Sequence, residues 1–152
     1  MQNTQDERAR RIALFFLFSL ADERVAFQAA HKAVASLKAS SAKASNELGV
    51  DHIRLLKKIY DKHKTLLERE SLANAVPPTS WQLAPGVSAA TWLRFRKNAA
   101  DQEVIALVLS KIVGFDDESV ARGLGVSVGT IRYRVGKALR QLGSMTDKGA
   151  QA

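Results

Sequence analysis

The sequence predicts an all-α chain: an N-terminal helical hairpin and a long helix, linked to a C-terminal helical domain. Three observations predict it. Apolar residues recur at spacings of three and four along several stretches, the period of a helix with one buried face. Few stretches alternate apolar and polar residues, and aromatic residues make up only 7% of the chain, which disfavours sheets. Cap-forming residues, glycines and a proline pair fall between the periodic stretches. With 152 residues and 46% hydrophobic content, the chain can build one compact domain or two very small ones.

Residues 7–20 read as a first helix, rich in Leu, Ile and Phe. Ala21 and Asp22 read as a tight turn, with Asp22 as N-cap of a second helix that runs to about Leu37. Val25, Phe27, Ala30, Val34 and Leu37 are compatible with one broad apolar face, so the two helices are expected to form a hairpin. Residues 39–50 are rich in Ser, Ala and Lys and reach Gly49, the composition of a linker. Asp51 is then expected to cap a third helix to about Ala73. Its apolar stripe is Ile53, Leu56, Ile59, Tyr60, His63, Leu66 and Leu67, flanked by Lys57, Lys58, Lys62 and Lys64. Such a stripe must pack on the hairpin, on the C-terminal domain or on a partner.

Pro77 and Pro78 stop that helix. The expected divisions are a helical region over 1–76, a linker over 77–87 with Trp81 anchoring it to a surface, a domain over 88–143 and a flexible tail over 144–152. Helical pattern returns at Ser88. Residues 99–113 hold a strongly apolar helix (Val104, Ile105, Leu107, Val108, Leu109, Ile112), ended by Gly114.

The net charge of +8 and a pI near 10.0 call for a polyanionic partner, nucleic acid or an anionic membrane surface, and charge alone does not choose between them. The absence of cysteine excludes disulfides, cysteine-ligated zinc and cysteine nucleophiles. Arg8, Arg10 and Arg11 precede the apolar run 12–20, and Ser19, Leu20 and Ala21 resemble a cleavage site, which together outline a secretory leader. Asp6 and Glu7 within the basic segment, and the helical pattern resuming after Ala21, speak against one, so a cytoplasmic location is expected. No apolar stretch approaches the ~20 residues of a membrane span, so no membrane association is expected.

The informative stretch is 116–135. Asp116 can cap a helix, and the acids at its start suit the positive end of the helix dipole. Ala121 falls where two helices would cross, and a large side chain there would push them apart. Gly125 follows in the turn, where glycine tolerates a left-handed backbone. Val126 and Ile131 supply apolar contacts across the pair, and Ser127 can cap the second helix. This spacing is that of a helix-turn-helix.

On a wheel of about 100° per residue, Val128, Ile131, Val135, Ala138, Leu139 and Leu142 gather on one side of the second helix. Gly129, Thr130, Tyr133, Lys137 and Arg140 lie opposite, flanked by Arg132 and Arg134. Between Ser119 and Thr146 there is no acid, whereas Arg122, Arg132, Arg134, Lys137 and Arg140 are basic. A solvated helix usually mixes signs; excluding acids favours a phosphate partner. A donor-rich face with small residues near the helix start suits a major groove of double-stranded DNA. The alternative is a structural helical hairpin with a solvated basic face.

These residues resemble a known family. Residues 104–142 look like region 4 of the sigma-70 family, especially its small extracytoplasmic-function members, and 125–132 is close to the recognition-helix signature of that family. The resemblance implies a four-helix domain that reads the −35 element of a promoter and touches the flap of RNA polymerase. The matching positions for DNA contact are Ser127, Gly129, Thr130, Arg132, Tyr133, Arg134 and Lys137. The family usually has a small or polar residue where Tyr133 stands, and LuxR-type regulators share the fold and a similar phrase. More weakly, the N-terminal hairpin, with Asp22, Ala26 and the apolar positions to Leu37, resembles the start of sigma region 2, which binds the polymerase clamp. True sigma factors continue into an aromatic, basic segment that melts the −10 element. Here 38–49 is rich in Ser and Ala, and the next helix has no tryptophan or phenylalanine.

His52 and His63 could share a helix face, but no further ligands stand out, so no metal is expected. Capping explains Asp116 and Asp117 better than acid–base chemistry, and no phosphate loop, nucleophile elbow or metalloprotease motif is present. Neither enzymatic activity nor a cofactor is expected. The leading expectation is a sigma-like regulator that binds duplex DNA and contacts core RNA polymerase. A second is a sigma mimic that titrates an anti-sigma factor. A third is a homodimer formed through residues 51–73.

Overall fold

The computed structural model describes the backbone of residues 2–40, 49–70, 82–84 and 87–146, and side chains within 6–37, 49–66 and 87–146. Trp81, Leu67, most of the linker expected over 77–87 and the far end of the tail lie outside the described side chains.

The first helix, α1 (Gln2–Leu20), starts earlier than expected. It ends at Ala21, whose φ of 55° is left-handed and whose N–H reaches the Leu17 carbonyl at 3.0 Å. Asp22 then caps α2 (Glu23–Ser40): its Oδ1 accepts from the Val25 N–H at 3.0 Å. The predicted turn is therefore present. The buried face of α2 is made of Val25, Ala26, Ala29, Ala30, Ala33 and Leu37. These small residues let α2 lie close to α1, where Ile12, Phe15, Phe16 and Phe18 are buried. Phe27 was expected on this face and instead points to solvent, one step beyond the covered arc. The run 12–20, which outlined a leader, supplies much of the core in this structure.

The third helix, α3 (Val50–Glu70), is capped by Gly49 and not by Asp51. The Gly49 carbonyl accepts the first helical bond, and the Nδ1 of His52 accepts from the Gly49 N–H at 2.8 Å. His52 thus reaches back as the Glu or Gln of a capping box does. Asp51 sits in the first turn and pairs with Arg54. Ile53, Leu56, Ile59, Tyr60 and His63 are buried, whereas Leu66 is largely exposed. The buried stripe lies against α1 and α2 on one side and against α6 (Asp117–Leu124) on the other. The described part of that stripe, Ile53 to His63, is thus covered within the chain, while Leu66 is exposed and the side chains over 67–73, also expected to serve a homodimer, lie outside the described residues.

A short antiparallel ribbon, β1 (Gln82–Ala84) with β2 (Val87–Ser88), stands where a linker was expected; Gln82 faces Ser88 and Ala84 faces Val87. Ser88 caps α4 (Ala89–Asn98) through its Oγ, which accepts from the Thr91 N–H. The expected helix over 99–113 is α5 (Asp101–Leu107), continued by a widened π turn over Val108–Val113 and closed by Gly114 at φ 93°. Residues 103–109 are buried on every side, so α5 is the central helix. The last helix is α7 (Val128–Met145). Among the described residues the architecture is helical apart from the ribbon, as the sequence predicts.

Buried side chains from both halves of the chain form one continuous cluster, from Ile12 and Phe15 through Trp92 and Ile105 to Ile131. Polar staples reinforce it. The Trp92 indole donates to the Phe18 carbonyl at 2.8 Å, and Arg11 donates to the Val113 carbonyl at 3.2 Å. Arg96 donates to the Ser19 carbonyl and to Asp101, at 3.0 Å in the latter case. The Tyr60 hydroxyl donates to the same carboxylate, and Lys64 lies 3.2 Å from it. Burial pushes the Tyr60 phenol upward, which keeps it a donor. Burial alone would raise the Asp101 carboxyl, but Tyr60, Arg96 and Lys64 outweigh it and hold the group below the usual carboxylate range.

Candidate nucleic-acid interface

The helix-turn-helix is built by three local devices. Gly125 takes a left-handed backbone (φ 72°) after α6, and its N–H reaches the Arg122 carbonyl at 3.3 Å. Ser127 caps α7: its Oγ accepts from the Thr130 N–H at 3.1 Å and lies 2.8 Å from the Thr130 hydroxyl. Ala121 and Ile131 are buried at the crossing of the two helices, as their spacing predicts. Asp116 occupies the N-cap position of α6, where Ser119, three residues on, holds its carboxyl below the usual carboxylate range. Its neighbour Asp117 is the tie: it accepts from the Ser110 hydroxyl at 3.0 Å and faces Arg132 at 3.5 Å.

Ile131, Val135, Ala138 and Leu142 form the buried side of α7. Leu139, expected with them, is exposed. It lies one step round the helix, beyond the arc that α5 and α6 cover. The C-terminal end of α7 is held by Arg94, which donates to the Met145 carbonyl at 2.8 Å.

Of the seven residues predicted to contact DNA, Ser127, Gly129, Arg132, Tyr133 and Lys137 are exposed. Tyr133, a large aromatic residue, is 63% exposed. Thr130 is half-buried, and so is Arg134. Arg132 and Arg134 lie on opposite flanks of the exposed face, as 100° per residue requires. Two of the cations are already paired: Arg132 with Asp117, and Lys137 with Glu103 at 2.9 Å. The Glu103 side chain is only 8% exposed, so Lys137 serves as counter-ion to a buried carboxylate.

The structure also joins residues that the sequence left apart. An open groove of about 490 Å³ runs between α3 and the helix-turn-helix, lined by Arg54, Lys57, Lys58, Leu124, Val126 and Arg134 among others. The lysines of α3 were visible as flanks of its stripe, but nothing local signalled that they would meet Arg134. Their approach is set by Gly123, where α6 lies directly against Ile53 of α3.

His52 and His63 do not form a site: His52 caps α3, and His63 Nδ1 lies 2.9 Å from the Ile59 carbonyl. Among the described residues no group of three metal-ligating side chains converges, and no helix is long and apolar enough to cross a membrane.

A solved structure shares this arrangement of helices: the sigma factor RpoE of Bartonella quintana, crystallised in complex with the anti-sigma factor NepR. It superposes with a TM-score of 0.68 over 90% of each chain, at 16% sequence identity. The fold is sigma-factor-like. The likeness extends over most of the chain, and at this identity it shows the fold alone. No protein-family model matches the chain, and no curated protein does.

Proposed function

We propose that this protein is a DNA-binding transcription regulator resembling a divergent sigma factor, which reads promoter duplex DNA by placing α7 in the major groove and contacts RNA polymerase. One observation carries the reading: α7 presents an exposed face without a single acid, with Gly129 and Thr130 at its N-terminal end and Arg132, Tyr133 and Lys137 beyond. Small residues at that end allow close approach to base edges, and the cations suit the flanking phosphates. The sigma-like fold supports the same reading. So does the net charge of +8.

A second reading is that the chain binds an anti-sigma factor or another protein in place of DNA. The Bartonella sigma factor was crystallised with an anti-sigma factor, and that observation favours it. Selection from a randomised duplex pool separates the two. Wild type and Arg132→Ala/Arg134→Ala are compared at two salt concentrations, with and without core RNA polymerase. A short enriched motif that depends on the arginines supports DNA reading, and enrichment only with polymerase supports a sigma-like subunit. Steeply salt-dependent binding with no enriched motif in either condition overturns sequence-specific reading.

A further inference from the structure

We infer that the basic face of α3 is a second phosphate-binding element of the same DNA interface, with Arg54 and Lys58 continuing the flank of α7 that Arg134 begins. The inference rests on the proposed DNA-binding reading and extends it to a helix outside the helix-turn-helix.

Charge is the first argument. Along 54–64, α3 carries Arg54, Lys57, Lys58, Lys62 and Lys64 against the single acid Asp61. The acids that line the groove are already engaged: Asp61 by Lys57, and Asp101 by Arg96, Lys64 and the Tyr60 hydroxyl. Arg54 has only Asp51 at 3.2 Å, a pair in which both side chains are largely exposed and which is therefore weak. Among the described residues, Lys58 and Arg134 have no carboxylate within ion-pair distance. The groove rim thus holds cations whose charge the fold leaves unneutralised.

Position is the second argument. The groove opens beside Leu124 and Val126, the turn that precedes the N-terminal end of α7. A recognition helix seated in a major groove has a phosphate strand on each side. Arg132 lies on one flank, and Arg134 lies on the flank that faces α3. Lys58 is four residues beyond Arg54, about 6 Å further along the same face of α3. Cations at such intervals can follow a backbone.

The floor of the groove decides the class of partner. Ile105 is 1% exposed, and Leu124 and Val126 are half-buried. An amphipathic helix of a protein partner needs large exposed apolar anchors, whereas Leu124 and Val126 show only part of their side chains and cations crowd the rim. A phosphate backbone needs only the cations.

The test uses the full chain and a mixed-sequence DNA duplex as probe, with affinity measured across a salt series. Each phosphate contact contributes about 0.9 to the slope of log K against log salt. Removing two with Arg54→Ala/Lys58→Ala should lower the slope by about two. Carried from 1 M to 0.15 M salt, each contact is then worth roughly five-fold in affinity. The loss should be the same for every sequence, whereas Arg132→Ala changes sequence preference. Lys58→Arg should retain binding. Both substituted side chains are on the surface, and an unchanged melting temperature checks that the variants fold. Duplex binding with unchanged affinity and slope in the double variant overturns the inference and leaves the α7 reading intact. A wild type that does not bind duplex overturns both. Capture of a Glu-rich helical peptide that requires Arg54 and Lys58, with duplex affinity unaffected by their loss, assigns the groove to a protein partner instead.

Discussion

The contact between α3 and α6 rests on the absence of one methyl group. A Cβ placed on Gly123 would stand 2.4 Å from Ile53 Cγ2 and 2.6 Å from Ile53 Cβ. Ile53 is fully buried, and one of the two clashing atoms is its own Cβ, so a change of rotamer cannot relieve the overlap. Gly123→Ala should therefore push the helices apart. Overpacking of this kind costs about 1–3 kcal/mol, and contacts this short place it in the upper half of that range. Against this, alanine gains about 0.8–1 kcal/mol over glycine in a helix interior. The expected net loss is about 1–2 kcal/mol, at about 2–4 °C in melting temperature per kcal/mol for a chain of this size. Gly143→Ala is the control. It sits in α7 with nothing within 4 Å of the added Cβ, so it should gain the propensity term alone. Urea denaturation of wild type and both variants gives the two differences directly. A Gly123→Ala protein stabilised as much as Gly143→Ala would refute the close approach of α3 to α6, and with it the groove between them.

Three further outcomes follow from individual residues. Ala21 holds a left-handed backbone that costs an L-residue about 1–2 kcal/mol, and glycine gives back only about 0.5–1 kcal/mol of that in chain entropy; Ala21→Gly should therefore raise stability by about 0.5–1 kcal/mol in thermal unfolding. Lys137→Ala leaves the nearly buried Glu103 carboxylate without its cation, so the variant should melt below wild type, and adding Glu103→Gln should recover most of the loss. His52 must be neutral at Nδ1 to accept the Gly49 N–H, and its pKa is lowered by burial first and then by the Arg8 charge, with Asp51 opposing. The unfolded chain then binds the proton more readily, so the His52 contribution is full above the ordinary imidazole pKa of about 6.5. It is lost as pH falls through the lower folded value. Urea midpoints at pH 8 and pH 5 should separate more in wild type than in His52→Gln, which keeps an acceptor that does not titrate; equal separations would remove the histidine cap.

What could be read in the sequence was what acts within a turn or two of itself. Gly125, Ser127, Ala121 and the Ala21–Asp22 reversal each impose a local geometry regardless of the rest of the fold, and each is present. Periodicity located the buried stripe of α3 but not what covers it, because a stripe states only that something must. The same limit explains Phe27 and Leu139. Each lies at the edge of an apolar arc, and whether an edge is covered depends on a neighbouring helix whose position no local rule supplies. The cap of α3 was missed because histidine rarely takes the part of Glu or Gln, and Asp51 offered a more ordinary solution. Gly123 carried no local signal either. It lies inside a helix with ordinary backbone geometry, and its reason for being glycine is a residue on α3, far away in the chain. The groove that unites Arg134 with α3 exists only once that distant contact is made. The candidate contacts on α7 could therefore be named from sequence, but the cations of α3 could not be joined to them.

The ion pairs on α7 change how its cations should be weighed. A phosphate that recruits Lys137 must draw it from Glu103, and a carboxylate 8% exposed cannot turn to water for compensation. The gain from that phosphate is offset by the loss at Glu103, so the main work of Lys137 is to hold α7 against α5. Arg132 is less constrained, since its contact with Asp117 is long and the guanidinium is largely exposed. Arg134 gives up no carboxylate, and neither does Lys58 among the described residues. On the proposed DNA-binding reading, the sequence-independent part of the affinity would fall chiefly on Arg134 and α3, with Lys137 contributing least. Lys137→Ala should accordingly cost more in stability than in salt slope, and Lys58→Ala the reverse. Melting curves and salt titrations of these two variants, taken side by side, test that division; a Lys137→Ala protein that melts like wild type but loses a full unit of slope would show that the cation serves phosphate and not Glu103.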